Sequence, residues 1–468
     1  MAETAAAQTF QTLHKFDNGG YNPQGALIIS SNRIYGVTTY GGSFGSGGTV
    51  FAANTDGTTY SNLHSFSASY DPNGDGAEPY AGLVLSGGVL YGTAYVGGAS
   101  GSGGVFKLNT DGSGFTTLHS FTSNNPYAIS GGAYPLGMIL QGNTLYGVTH
   151  GGGIMNNGTI FSINLDGSGF TNLYNFTATS GSYPTNNDGS HPVGRLVLSG
   201  GAGGELMQGT NTLYGATEEG GIMGGGTVFS IHTDGTHFTN LHNFGGNGDG
   251  AIPRGSLILS AGTLYGTAEN GGSSGNGSVF AVSIDGAYYT ILHSFTDNPY
   301  YTNSDGRAPL AGLFLSGSTL YGTTLVAGGL GCGTVFAVNT NGTDFTILYT
   351  FTGGFDGAAP WAGVILSGNT LYGTTDNGNY TNGTGDGTMF ALSLAPQLNM
   401  SMSGPNAILT WPTNVAGFDY TGITLQCTTS LVPPVVWSTV SPPPVVVNGQ
   451  STVTNNISGA QMFYRLSQ

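Results

Sequence analysis

From residue 10 to residue 395, short runs of apolar, β-branched and aromatic residues alternate with runs of Gly, Ser, Asn and Asp. No stretch carries the 3.6-residue period of an amphipathic helix, so the pattern predicts strands and turns. Residues 81–121 show one complete unit. Leu83-Val84-Leu85 reads as a first strand, and a Ser-Gly-Gly turn leads to Leu90-Tyr91-Gly92-Thr93-Ala94. A Gly-rich loop precedes Gly104–Leu108, and Phe115–Phe121 completes the unit. Asp111-Gly112 stands between the last two strands, where a tight hairpin turn needs positive φ; related pairs begin at Asp56, Asp166, Asp234 and Asp285.

The unit is written seven times. Leu/Ile-Tyr-Gly recurs with its Tyr at 35, 91, 146, 214, 265, 321 and 372, and a Gly-x-Val/Ile/Met-Phe segment follows, ending at Phe51, Phe106, Phe161, Phe229, Phe280, Phe336 and Phe390. Leu-His/Tyr-x-Phe begins at Leu13, Leu63, Leu118, Leu173, Leu241, Leu292 and Leu348. Four-stranded units of this length stack as propeller blades, each covering its neighbour's apolar face. The chain opens on a fourth-strand sequence, Phe10–Phe16, and the seventh unit stops after its third strand near Leu392. The expected fold is therefore all-β: a seven-bladed propeller over residues 10–395, closed by the N-terminal strand, after a flexible segment 1–9. An open β-solenoid would explain the repeat without explaining the exchanged strand. After Ala395-Pro396 the signature ends; residues 396–468 hold Trp411 and Trp437 and alternating runs such as Ala407–Trp411, which predict a small β-sandwich.

Composition narrows the function classes. The 468 residues include 85 Gly, yet 38% are hydrophobic and 11% aromatic, which fits a folded β protein with many turns. Seven Lys and Arg face 23 Asp and Glu, a formal charge of −16. Seven scattered cations cannot displace the counterions of a nucleic acid, and an anionic membrane surface is disfavoured for the same reason. No apolar run reaches the ~20 residues that span a bilayer, so membrane insertion is not expected. Cys332 and Cys427 are too few for a disulfide framework and are expected as two buried free thiols; a bridge would need their Cα atoms within about 7 Å. The start carries no basic or apolar leader, consistent with a mature chain whose secretion signal has been removed.

The series Leu-Tyr-Gly-Thr-Thr, Gly-Gly, Gly-Thr-Val-Phe, Asp-Gly and Leu-His-Ser-Phe resembles the GloVer tandem repeat over residues 10–395. The resemblance implies an exported bacterial protein with a choice-of-anchor type of C-terminal segment, and it brings no catalytic residues. The tail, with Leu409-Thr410-Trp411-Pro412 and a final Phe463-Tyr464-Arg465-Leu466, is similar to fibronectin-III-like modules. No sortase-type motif or hydrophobic anchor is visible in it.

Candidate chemistry lies where the repeat varies. Four residues after each repeat tyrosine stand Thr39, Tyr95, His150, Glu218, Glu269, Leu325 and Asp376, which a propeller would arrange as a ring at the channel mouth. His150, Glu218, Glu269 and Asp376 are the candidate acid–base groups, since paired carboxylates can protonate a glycosidic oxygen and activate water. Tyr95, Tyr80 and Trp361 are candidate stacking platforms, with Arg254 and Arg307 as further ligand contacts. The pattern Asp-Gly-x-x-Pro recurs at Asp75, Asp188, Asp249, Asp305 and Asp356, and reads as an Asx-turn before a rigid Pro. In its longest copy Asp71, Asn73 and Asp75 imitate the start of a calcium loop, although the downstream bidentate Glu is missing at its expected spacing. His14, His64, His119, His242 and His293, replaced by Tyr174 and Tyr349 in two copies, read as packing residues.

The expected function is an exported, non-catalytic binding or adhesion protein, monomeric and either secreted or at the cell surface. Its expected partner is extracellular glycan or cell-surface material, not nucleic acid. A polysaccharide lyase or glycoside hydrolase using the ring residues is the alternative from another class, and a structural surface protein is the third.

Overall fold

In this computed structural model the described residues are 9–17, 19–67, 74–122, 131–181, 185–199, 211–246, 248–296, 304–378, 386–396, 398–403, 406–415, 418–420, 423–431, 435–447, 449–456 and 462–467. The expected flexible segment 1–9 lies outside them but for Thr9. Every element among the described residues is a strand, and the chain divides into two compact units. The larger comprises residues 11–367 and 372–391; the smaller comprises 1–10, 368–371 and 392–468.

Seven antiparallel four-stranded sheets follow one another along the repeat region. The second is representative: Val84–Ser86, Val89–Ala94, Gly104–Asn109 and Thr116–Ser120, in that spatial order. The seventh takes Ile365–Ser367, Thr370–Thr375 and Thr388–Ser393 from the end of the repeat, and its fourth strand is Thr9–Lys15. The fold is thus all-β and propeller-like. The second and third strands are buried almost throughout, which is why they read as unbroken apolar runs. The Gly of each hairpin Asp-Gly pair has positive φ, as at Gly57, Gly112 and Gly167.

The repeated motifs interlock through three contacts. The glycine of Leu-Tyr-Gly pairs across the ladder with the phenylalanine of the third strand, as Gly92 with Phe106 and Gly322 with Phe336. The Phe ring lies on the bare Cα: a Cβ at Gly92 or Gly322 would come within 2.4 or 2.5 Å of the ring's Cζ. That ring meets, edge to face, the phenylalanine that ends the preceding sheet's fourth-strand motif. The pairs run Phe66–Phe106, Phe121–Phe161, Phe176–Phe229, Phe244–Phe280, Phe295–Phe336 and Phe351–Phe390, and Phe16 of the opening segment meets Phe51, all with centroids 5.1–5.6 Å apart.

Backbone contacts repeat around the same seven junctions. Before each first strand, or within its opening residues in the third and fourth sheets, the residue preceding proline has φ of 54–61°: Asn22, Glu78, Tyr134, His191, Ile252, Ala308 and Ala359. Its N–H donates to a carbonyl in the Gly-rich loop of the neighbouring sheet, on Asp386, Gly47, Ser102, Asn157, Gly225, Asn276 and Cys332 respectively. The proline ring then sits on a glycine held at φ of 86–97° in that loop, as Pro79 on Gly48 and Pro23 on Gly387.

The smaller unit contains a four-stranded sheet, in the order Asn399–Ser403, Asn406–Pro412, Gln450–Asn456 and Val445–Val447. A three-stranded sheet has the order Ser438–Thr439, Thr424–Thr428 and Phe463–Ser467. In Asn406–Pro412 burial alternates, with Ala407, Leu409 and Trp411 inward, as the sequence pattern predicts. Cys332 and Cys427 are both free, and each is only partly buried where the sequence reading expects burial.

Because the Phe336 ring occupies the space of an absent side chain, Gly322→Val is expected to cost about 1–3 kcal/mol. Urea denaturation of the variant beside the native protein measures this as a lowered midpoint.

Candidate functional site

The left-handed residue before each proline is aimed toward the residue four positions after the repeat tyrosine. In five sheets this pairing is a backbone hydrogen bond, as from the Tyr95 N–H to the Glu78 carbonyl at 3.2 Å. In the third and fourth sheets the strands lengthen to Gly132–Gln141, Thr144–Gly152, Ser190–Leu198 and Thr212–Glu219, so that Tyr134, His150, His191, Glu218 and Glu219 lie on strands. A non-Gly residue at positive φ before proline is sterically unfavourable, and such strain persists only where neighbouring contacts enforce it.

Two groups of side chains meet on and beside these positions. The first is a row of tyrosines from three successive sheets. Tyr21 and Tyr40 have ring centroids 5.7 Å apart, the Tyr40 and Tyr80 hydroxyls are 3.2 Å apart, Tyr80 packs on Tyr95 at 4.9 Å, and Tyr95 on Tyr134 at 5.1 Å. Tyr80 also donates to Glu78 at 3.5 Å. The second is polar. His150 Nε2 donates to Glu218 Oε1 at 2.9 Å, its ring lies 4.8 Å from that of His191, and His191 Nδ1 stands 3.5 Å from Glu219. The Arg254 guanidinium lies between Glu218, at 3.5 Å, and Glu269, at 2.7 Å. The Glu269 contact is one of charge, since its geometry does not align a hydrogen bond.

Burial opposes ionisation of Glu218, but the His150 hydrogen bond and the Arg254 charge outweigh it and hold the carboxyl below its ordinary pKa. His191 is pushed down by burial and by the neighbouring His150. The Tyr95 hydroxyl is pushed up by burial, and further by Tyr134 and by the charges of Glu218 and Glu78. Burial likewise raises Asp376, only partly offset by hydrogen bonds from Asn22 at 2.9 Å and Gln24 at 2.8 Å.

The structure therefore brings together His150, Glu218, Glu269 and Arg254, and joins Tyr80 to Tyr95. Asp376 is 8% exposed and held by Asn22 and Gln24. Trp361 is half-buried, and Arg307 donates its backbone N–H to Val326. Of the calcium candidates, Asp71 and Asn73 lie outside the described residues. The Asp75 carboxylate accepts from the Ser67 N–H and hydroxyl and from His64 Nε2. Among the described residues no group of three or more His, Cys, Asp or Glu side chains could hold a metal ion. Sequence reasoning missed Tyr21, Tyr40, Tyr134, His191 and Glu219. The signal for Tyr134 and His191 was available in the residue before each loop proline, and for Tyr40 and Glu219 in the fifth residue after each repeat tyrosine; Tyr21, two residues before Pro23, follows neither.

The recurring histidines take structural positions. Each stacks on an aromatic ring of the next sheet, as His64 on Phe115 at 3.8 Å and His293 on Phe345 at 3.5 Å. Where the following loop has its Asp, the His or Tyr faces it: Tyr174 donates to Asp188 at 2.9 Å and Tyr349 to Asp356 at 3.0 Å. The Asp-Gly-x-x-Pro aspartates thus fasten their loop to the preceding strand, a role the Asx-turn reading did not include.

The molecule is a tandem-repeat protein with its variable positions gathered on one set of loops and strand ends. The chain belongs to the Gloeobacter/Verrucomicrobia repeat family, whose model matches residues 2–202 and 198–385. No curated protein matches it in sequence. Among solved structures it is similar to a GH74 enzyme of Niastella koreensis at 16% identity, covering 98% of this chain and 72% of that one, with a TM-score of 0.48. It is similar to the Vibrio parahaemolyticus oligogalacturonate lyase at 9% identity, covering 84% and 99%, with a TM-score of 0.46. The computationally designed Ika8 protein is 12% identical, with 80% and 97% covered and a TM-score of 0.42.

Asp305 offers a test of the loop fastening. Although burial opposes it, hydrogen bonds from His293 and Thr296 lower its pKa from 3.8 to about 2. A depressed carboxyl contributes stability above its unfolded pKa that is lost as pH falls through the folded one. The native melting temperature should therefore fall between about pH 4 and pH 2. Asp305→Asn should melt lower at neutral pH and show a shallower fall across that window, measured by thermal denaturation at stepped pH.

Proposed function

We propose that residues 10–395 are a seven-bladed propeller closed by the strand Thr9–Lys15, and that the protein is an exported, non-catalytic binder of glycan. Seven sheets of one topology support the architecture. So does the junction of the seventh sheet with the first, which repeats the other six: Phe16 on Phe51, Asn22 bonded to Asp386, and Pro23 on Gly387. The tail is read as a β-sandwich accessory module, and a secreted or cell-surface location agrees with the scarcity of cations and the export that the repeat implies.

The binding reading rests on the tyrosine row. Five part-exposed rings from three neighbouring sheets, ending beside His150 and Glu218, form a platform on which sugar rings stack while hydroxyls reach the polar group. Such aromatic surface loses little entropy on binding because the rings already hold one another. The second reading, polysaccharide cleavage, has the His150–Glu218 hydrogen bond in its favour. Against it, a general acid needs a raised pKa, whereas Glu218 is held ionised. Asp376, whose pKa is raised, is engaged by Asn22 and Gln24.

Affinity electrophoresis through gels containing plant, algal or bacterial polysaccharide, stained afterwards for polymer, distinguishes the readings. Retardation without clearing is expected, and Tyr95→Ala should weaken it roughly tenfold, the loss of one stacked ring. A cleared zone would establish cleavage instead. For closure, a chain lacking residues 1–16 should leave the third strand of the seventh sheet unpaired on one side and aggregate. Size-exclusion chromatography showing a stable monomer with native melting would exclude the closed arrangement.

A further inference from the structure

We propose that the tyrosine row and its flanking carboxylates recognise a protonated amine, so that the glycan bound is one built of amino sugars. This rests on the glycan-binding reading and adds the charge and class of the ligand.

The faces of aromatic rings carry negative potential and attract cations, the more so when a carboxylate stands nearby. Here Tyr40 meets Tyr80 through their hydroxyls, Tyr80 packs on Tyr95 and Tyr95 on Tyr134, and the carboxylates sit at both sides of them. Glu78 lies 3.5 Å from the Tyr80 hydroxyl, and the charges of Glu78 and Glu218 both reach the hydroxyl of Tyr95. Glu219 and Glu269 extend the acidic side through His191 and Arg254. Arg254 is already shared between Glu218 and Glu269, so its charge is spent within the site. The four carboxylates Glu78, Glu218, Glu219 and Glu269 outnumber the guanidinium of Arg254 that pairs within the group. The whole chain reinforces this, with 23 acidic side chains against 7 Lys and Arg, and would steer cations toward its surface.

A uronate polymer would bring like charge into this field. A neutral sugar would stack but bring no charge to offset the acidic surplus. A sugar ring bearing an ammonium group satisfies both features, presenting an apolar face to a tyrosine and its charge to Glu78 or Glu218. A row of rings from successive sheets suits a ligand whose own rings repeat, which favours an oligomer over a single amine.

Calorimetric titration of the full chain with glucosamine hexamer, N-acetylglucosamine hexamer and galacturonate hexamer tests this, at low salt and below the pKa of the sugar amine. The glucosamine hexamer should bind roughly tenfold tighter than its acetylated counterpart, and galacturonate should not bind. The preference should fall toward unity with added salt and in the Glu78→Gln/Glu218→Gln double variant, whose melting temperature serves as the folding control. Equal or tighter binding of the acetylated or galacturonate hexamer would overturn the amine assignment while leaving glycan binding intact. Binding of no hexamer, with retardation by a neutral polymer in the gels, would do the same. Silence toward every saccharide would overturn both.

Discussion

The structure depends on a strained junction made seven times. At each, a residue before proline is forced into the left-handed region, which costs on the order of 1–3 kcal/mol for a non-glycine residue. What offsets that cost is shared between sheets: an N–H donated across the junction, and a proline ring seated on a glycine whose own φ is positive. Neither part survives alone. Without the neighbouring carbonyl the left-handed turn leaves an N–H unpaired; with any side chain in place of the glycine, the proline has nowhere to lie. The junction therefore ties each sheet to one particular neighbour.

The same strain builds the site. A left-handed residue projects its side chain in a direction that an extended one does not. At Asn22, Glu78, Tyr134 and His191 that direction leads to Asp376, Tyr80, Tyr95 and His150 respectively. At Ala308 and Ala359 the same turn presents only a methyl group. One scaffold geometry thus yields a one-sided site: aromatic over the first three sheets, ionic over the third to fifth, and sparse beyond. Variation beside the loop proline and at the fourth and fifth residues after the repeat tyrosine composes it, while the phenylalanine and glycine framework stays constant.

The aspartate loops show how a repeat can separate holding from binding. Asp75, Asp188, Asp305 and Asp356 turn their carboxylates toward the preceding strand, where a Ser or Thr and a His or Tyr receive them. Of these, the sequence offers Asp75 alone as a metal ligand and reads the others as Asx-turns. Their partners occupy the carboxylates, and the acids beside the tyrosines stand at positions where the residue type varies from repeat to repeat.

The sequence by itself determined the strands, the sevenfold unit, the phase that starts the chain on a fourth strand, and the positions that vary. Periodicity and turn chemistry are local, so Leu90–Ala94 or Asp111-Gly112 needs no distant partner to be read. It also picked out His150, Glu218 and Glu269 as a set, because equal offsets in equal repeats place them alike. Only the tertiary structure decided that Arg254 joins Glu218 to Glu269, that Asp376 is taken by Asn22 and Gln24, and that Tyr80 and Tyr95 extend through Tyr40 and Tyr134. It alone also joined the fourth-strand His and Tyr residues to the loop aspartates. Those contacts cross between sheets at angles set by a positive φ before proline, a conformation that ordinary residue preferences argue against and that packing alone enforces.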